Sequence, residues 1–171
     1  MTTFDTMDQH EVKITEDDGN VEVRQTWDET TNVMMGFGQA KVIPDLVPDD
    51  FRVFFDQWDV HGAGANDTVE SITKVSTDNG VDTLKIVAIA PWPISNRVMF
   101  STRYLEMDMD GGHMILFCSD GNDALASNPE MMTAREIRKL VVATVYLSGW
   151  WVTPIKDESG AVTGTNMKYF S

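Results

Sequence analysis

The side chains that could carry covalent chemistry are few and scattered. Cys118 is the only cysteine, and it sits in the apolar run His113–Ser119, where a thiol reads as a small core residue. No G-x-S-x-G elbow is present, so the His61-Gly62-Ala63-Gly64 stretch, which has the look of a Gly-rich oxyanion loop, reads as a flexible loop. His10, His61 and His113 show no metal-ligand spacing. Glu106-x-Asp108-x-Asp110-Gly111 begins like a calcium loop, but its twelfth position is Phe117 where a bidentate acid is needed. It reads as a hairpin turn. No catalytic constellation emerges, and neither metal nor cofactor is expected.

One cation stands in an unusual place. In Arg97–Met107, strict alternation puts Arg97, Met99, Ser101, Arg103, Leu105 and Met107 on one face, with Val98, Phe100, Thr102, Tyr104 and Glu106 on the other. If the first face lines the interior, Arg103 is a guanidinium beside Met and Leu and needs an anionic partner. That partner is either a protein carboxylate or an anionic ligand headgroup. Periodicity alone leaves the other reading open: an Arg on the solvated face with its stem lying along apolar surface.

The elements that must hold these groups belong to a chain of 171 residues, 42% hydrophobic, a length that suits one domain with a real core. Lys+Arg 13 against Asp+Glu 27 gives a net charge of −14. Such a surface opposes nucleic-acid phosphates and anionic lipid surfaces by long-range charge, so no nucleic-acid partner is expected. A lone cysteine and an acidic N-terminus (Asp5, Asp8, Glu11) without a basic, then apolar, leader point to a reducing, cytoplasmic location. In that setting the glycosylation pattern at Asn66-Asp67-Thr68 reads as coincidence. The longest uncharged run, Leu140–Ile155, falls short of the roughly 20 residues of a spanning helix. It reads as one long buried strand.

Residues 1–18 read as a lead-in. Alternation then predicts strands from Val21 and over Asn32–Ile43. Pro48, with Asp49 and Asp50 behind it, suits a helix start, and Phe51, Phe54, Phe55 and Trp58 form one apolar stripe. Strand-like segments follow at Thr68–Ser76, Val81–Ala90, Val98–Met107 and His113–Ser119, separated by Asn79-Gly80 and Asp110-Gly111-Gly112 turns. Gly121–Arg138 is polar and irregular, and Asn128-Pro129-Glu130 suits the start of a short helix. After Leu140–Ile155 come a turn at Asp157–Gly160 and a last strand, Val162–Phe170. The sum is α+β: a meander of about seven antiparallel strands with one early helix, whose apolar sheet face needs a cover one short helix does not supply.

Ala90-Pro-Trp-Pro-Ile-Ser-Asn-Arg-Val-Met-Phe-Ser-Thr-Arg103 resembles the P-W/F-P-x-S-x-R-D-F/Y-V-x-x-R signature of START lipid-transfer domains. The order holds on both sides. Phe54, Phe55 and Asp56-Gln57-Trp58-Asp59 resemble the family's early helix, and Ser148-Gly149-Trp150-Trp151-Val152-Thr153-Pro154-Ile155 its S-G-W-x-I-x-P-L strand. Lys168-Tyr169-Phe170 falls where the last strand runs, so the likeness covers residues 19–171. It implies a helix-grip fold: a curved antiparallel sheet gripping a long C-terminal helix around a hydrophobic cavity. The implied activity is binding and transfer of one phospholipid or sterol without catalysis, with transient membrane contact. The alternative is a ligand-sensing or protein-interaction domain on the same fold. Carried over by position, the ligand-binding residues are Arg103, Arg97, Met99, Leu105, Phe117 and Trp92.

Three departures qualify the likeness. The Asp after the first motif arginine is Val98 here. Some sterol-binding members pair the second arginine with an acid on the preceding strand, and Asp82-Thr-Leu-Lys-Ile-Val shows no obvious buried acid, which favours a phosphate-bearing ligand slightly over a sterol. The family continues past the last strand with G-G-x-x-P and its closing helix, while this chain stops at Ser171. The expectation is a truncated product, a homodimer that supplies the closing element, or an open groove.

Overall fold

The computed structural model describes residues 12–16, 19–29, 32–65, 67–107, 110–118, 129–144 and 147–171. His10, Asn66, Asp108 and the stretch 119–128, each given a reading above, lie outside the described residues. The elements in chain order are β1 (Val12–Glu16), β2 (Val21–Asp28), β3 (Val33–Pro44), α1 (Pro48–Asp56), α2 (Trp58–Ala65), β4 (Val69–Asp78) and β5 (Val81–Ala88). There follow β6 (Arg97–Met107), β7 (His113–Cys118), a 3-10 turn (Pro129–Met131), α3 (Ala134–Lys139), β8 (Val141–Val142), β9 (Ser148–Lys156) and β10 (Val162–Phe170). The strands hydrogen-bond in the order β1-β2-β3-β10-β9-β7-β6-β5-β4, and β8 lies parallel on the start of β6. The pairs β1–β2, β2–β3, β3–β10, β10–β9, β4–β5 and β5–β6 are antiparallel.

Contacts divide the chain into two compact units. The first comprises Met1–Arg52, Glu106–Ile115 and Ser148–Ser171. Its buried apolar residues include Phe37, Ala40, Ile115, Val152 and Phe170, drawn from strands far apart in sequence. A reciprocal backbone pair between Gly36 and Ser171 ties the end of the chain to β3. Thr165 is fully buried, and its hydroxyl donates to the Leu46 carbonyl at 2.5 Å, so the side chain is satisfied despite burial. At the neighbouring Gly164 an added Cβ would lie 2.9 Å from the Ile43 carbonyl oxygen. Only glycine fits that approach of β10 to β3.

The second unit comprises Val53–Leu105 and Leu116–Leu147. Its strands β4, β5 and β6 carry apolar residues on both faces. In register, Ile72 opposes Ile86, Ile86 opposes Met99, and Leu84 opposes Ser101, so these share one face. Gly62 of α2 packs against it: a Cβ there would fall 2.3 Å from the Trp58 ring and 2.5 Å from Ile72 Cδ1. The opposite face presents Val87, Val98 and Phe100 to Met132, with Met131, Leu140 and Val142 around them. Lys85 pins this cover by donating to the Glu136 carboxylate at 2.5 Å and to the Met131 carbonyl at 2.9 Å. The short helix α3 starts with a capping box between Thr133 and Glu136.

Four sequence expectations are corrected. Val12–Glu16, inside the expected lead-in, is a strand paired with β2. The stretch from His61 to Ala65 continues as the helix α2, because its glycine serves close packing on Trp58 and Ile72. Leu140–Ile155 is not one strand; Val141–Val142 joins β6 and a separate strand begins at Ser148. Among the described residues ten strands form where about seven are counted from the sequence pattern.

Candidate functional site

The site grows from Arg103. It occupies the face of β6 that alternation assigned to it, and it is 1% exposed, the largest fully buried side chain described. The guanidinium donates to the carboxylate of Asp82 and to the backbone carbonyl of Phe55. Asp56 lies 3.9 Å from it. Asp82 also receives the Thr77 hydroxyl and lies 3.2 Å from Lys74. Arg103 and Lys74 thus face Asp82 and Asp56, two cations against two carboxylates.

Of the two partners left open for Arg103, a protein carboxylate is the one present, and the stretch from Asp82 does hold a buried acid. Asp82 stands directly opposite Arg103 in the β5–β6 register. It escapes notice in the sequence because it follows the Asn79-Gly80 turn, where an acid reads as a turn residue. Burial pushes the Asp82 carboxyl up, but hydrogen bonds from Thr77, Arg103 and Lys74 outweigh it and hold the group below the usual carboxylate range. The preference for a phosphate-bearing ligand rested on an unpaired guanidinium, and it loses that premise.

The remaining predicted residues separate by environment. Phe117 is 3% exposed and packs in an aromatic cluster, 6.1 Å from Phe55 and 4.9 Å from Trp58 between ring centroids. Met99 and Leu105 are half-buried on the Arg103 face of β6. Arg97 is half-buried too, and its guanidinium donates to the Ser95 carbonyl at 2.6 Å, closing the turn before the strand. Val98, where the family carries an acid, is fully buried in the apolar cluster under Met132, which accounts for the missing charge. Trp92 is 93% exposed, with Ile94 half-exposed beside it. The loop beneath them is held by Asn96, whose amide oxygen accepts from Ala90 N–H and whose NH2 donates to Glu70.

One further residue was missed. His113 opens β7 fully buried, and its Nε2 lies 2.6 Å from an Asp49 carboxylate oxygen at the start of α1. Neither residue carries a motif, and 64 positions separate them, so only the fold brings them together.

No protein-family model matches the sequence, and no curated protein does. Solved structures do match in fold. The STAR-related lipid transfer protein fragment from Xanthomonas axonopodis superposes with a TM-score of 0.64 at 14% identity, over 94% of this chain and 80% of that one. Human STARD10 gives 0.69 at 14% identity, over 98% of this chain and 63% of that one. The human StarD13 lipid transfer and protein localization domain gives 0.67 at 13% identity, over 94% and 72%. The chain has a START-like, helix-grip fold, an antiparallel sheet with few helices.

Proposed function

We propose that this protein binds one lipid or other hydrophobic molecule and carries it between membranes or presents it, with no covalent step. The observation that carries the reading is the START-like fold along almost the whole chain, shared with proteins named for lipid transfer. Affinity comes from burying acyl or ring surface, at about 25 cal/mol per Å². Met99, Leu105 and Phe117 supply apolar contact. Arg103, already neutralised by Asp82, sets the polar end and suits a neutral group better than a phosphate, because a second anion would compete with Asp82. Arg97 holds the turn that enters β6.

Trp92 and Ile94 make the transient membrane contact. An exposed indole on a tethered loop suits the interface between headgroups and acyl chains. The net charge of −14 weakens attraction to anionic surfaces and favours release. No helix among the described residues is long and apolar enough to cross a membrane.

The test is transfer of a fluorescent lipid from donor to acceptor vesicles. Protein-dependent transfer supports the carrier reading. Ligand-dependent thermal stabilisation without transfer selects the sensing alternative. Neither effect with phospholipid, sterol or diacylglycerol overturns both.

A further inference from the structure

The His113–Asp49 pair is half of an arrangement. A carboxylate only accepts hydrogen bonds, so the contact at 2.6 Å places a proton on Nε2 of His113. The other ring nitrogen, Nδ1, is buried and has no hydrogen-bond partner among the described residues. Buried polar atoms without partners are rare, and each calls for an occupant or a reason. Asp49 fixes the ring from outside, since its side chain is 80% exposed while that of His113 is 1% exposed. The lone-pair side is thereby turned away from solvent. Ile115, next along the same face of β7, is fully buried and apolar. His113 is thus a single polar atom set in an apolar stripe and oriented by a carboxylate that does nothing else for it.

We propose that His113 Nδ1 is the hydrogen-bond acceptor for a hydroxyl group of the hydrophobic ligand. A singly protonated ring offers a lone pair there, and a hydroxyl is the smallest neutral donor an otherwise apolar molecule carries. The ligand class is a lipid with a free hydroxyl, either a sterol or a diacylglycerol-type lipid. Methyl ethers of the same molecules keep the apolar body and lack the donor. This inference rests on the lipid-binding reading and adds to it one hydrogen bond to the ligand.

The test uses the full chain at pH 8, with cholesterol against cholesteryl methyl ether and 1,2-dioleoylglycerol against its 3-O-methyl ether. Phosphatidylcholine, which has no hydroxyl, is the third arm. Wild-type protein is expected to prefer the hydroxyl member of one pair by about tenfold, the worth of one buried hydrogen bond. The pair that shows the preference identifies the source. His113→Phe keeps the ring volume and removes Nδ1; it is expected to abolish the preference while leaving ether binding within about twofold. His113→Leu also removes both ring nitrogens and leaves no acceptor there; it is expected to behave likewise, which covers the case where the Phe variant does not fold. Equal binding of alcohol and ether, retention of the preference in the variants, or binding of phosphatidylcholine alone overturns the inference and leaves the lipid reading standing. Binding of none of the five lipids overturns the lipid reading and the inference with it.

Discussion

Asp82 and Arg103 stand directly opposite each other on antiparallel neighbours β5 and β6, both buried, and joined by a hydrogen bond. The pair explains how a guanidinium survives at 1% exposure. Its charge is met by Asp82, and a second donor is met by the Phe55 carbonyl, so the helix α1 is tied to the sheet through the same side chain.

Removing one partner leaves a buried charge uncompensated. Asp82→Asn is expected to destabilise the protein by about 3 kcal/mol, measured by urea unfolding. The double variant Asp82→Leu with Arg103→Met, which removes both charges, is expected to recover most of that loss. A double variant as unstable as the sum of its parts would show that the pair is not a coupled unit.

Acid should loosen the cover over Val98 and Phe100. Hydrogen bonds from Lys85 and from the Thr133 backbone hold the Glu136 carboxyl at about 2, below its ordinary value of 4.5. A depressed acid contributes stability that is complete above the unfolded value and is lost as pH falls through the folded one. The contribution is therefore expected to fade between about 4.5 and 2. Asp82, lowered in the same direction, adds to the loss. Glu136→Gln should flatten the stability profile over that window. An unchanged slope would contradict the role given to the Lys85–Glu136 link.

The helix α2 should not tolerate a side chain at its buried glycine. Gly62→Ala brings a Cβ within 2.3 Å of the Trp58 ring, and the repacking is expected to cost about 1–3 kcal/mol by thermal or urea unfolding. Gly64→Ala, with nothing within 4 Å, is expected to be neutral or slightly stabilising. Equal effects at the two positions would contradict the packing argument.

Those two glycines show what could be read from sequence and what could not. Pro48 and the Phe51, Phe54 and Phe55 spacing marked the first helix at its observed start, because amphipathic spacing is a local signal, whereas Trp58 of the same expected stripe opens the second helix. The second helix was missed because a glycine required by close packing looks the same as one required by a turn. The β6 face of Arg103 followed from alternation, whereas its partner depended on register across a hairpin, and Asp82 beside Asn79-Gly80 carried no mark of burial. The uncharged run from Leu140 gave no sign of where one strand ends and the next begins, since apolarity without alternation carries no register. Trp92 is 93% exposed, and nothing in the motif that singles it out marks that exposure. His113 and Asp49 meet only in the folded chain.

The exposed loop should serve membranes and not folding. Trp92→Ala is expected to leave the unfolding midpoint unchanged within error, because the side chain covers nothing. Flotation with neutral phosphatidylcholine vesicles is expected to fall several-fold. Unaltered flotation would remove Trp92 from the membrane contact.

The central claim, that the chain holds one hydrophobic molecule, is tested most directly by native mass spectrometry of freshly purified protein, followed by organic extraction. The expected spectrum shows a discrete increment of one ligand per chain, which extraction identifies as a lipid, and it reads monomer or dimer at the same time. A spectrum at the bare protein mass, unchanged after incubation with vesicles of phosphatidylcholine, cholesterol and diacylglycerol, would contradict it.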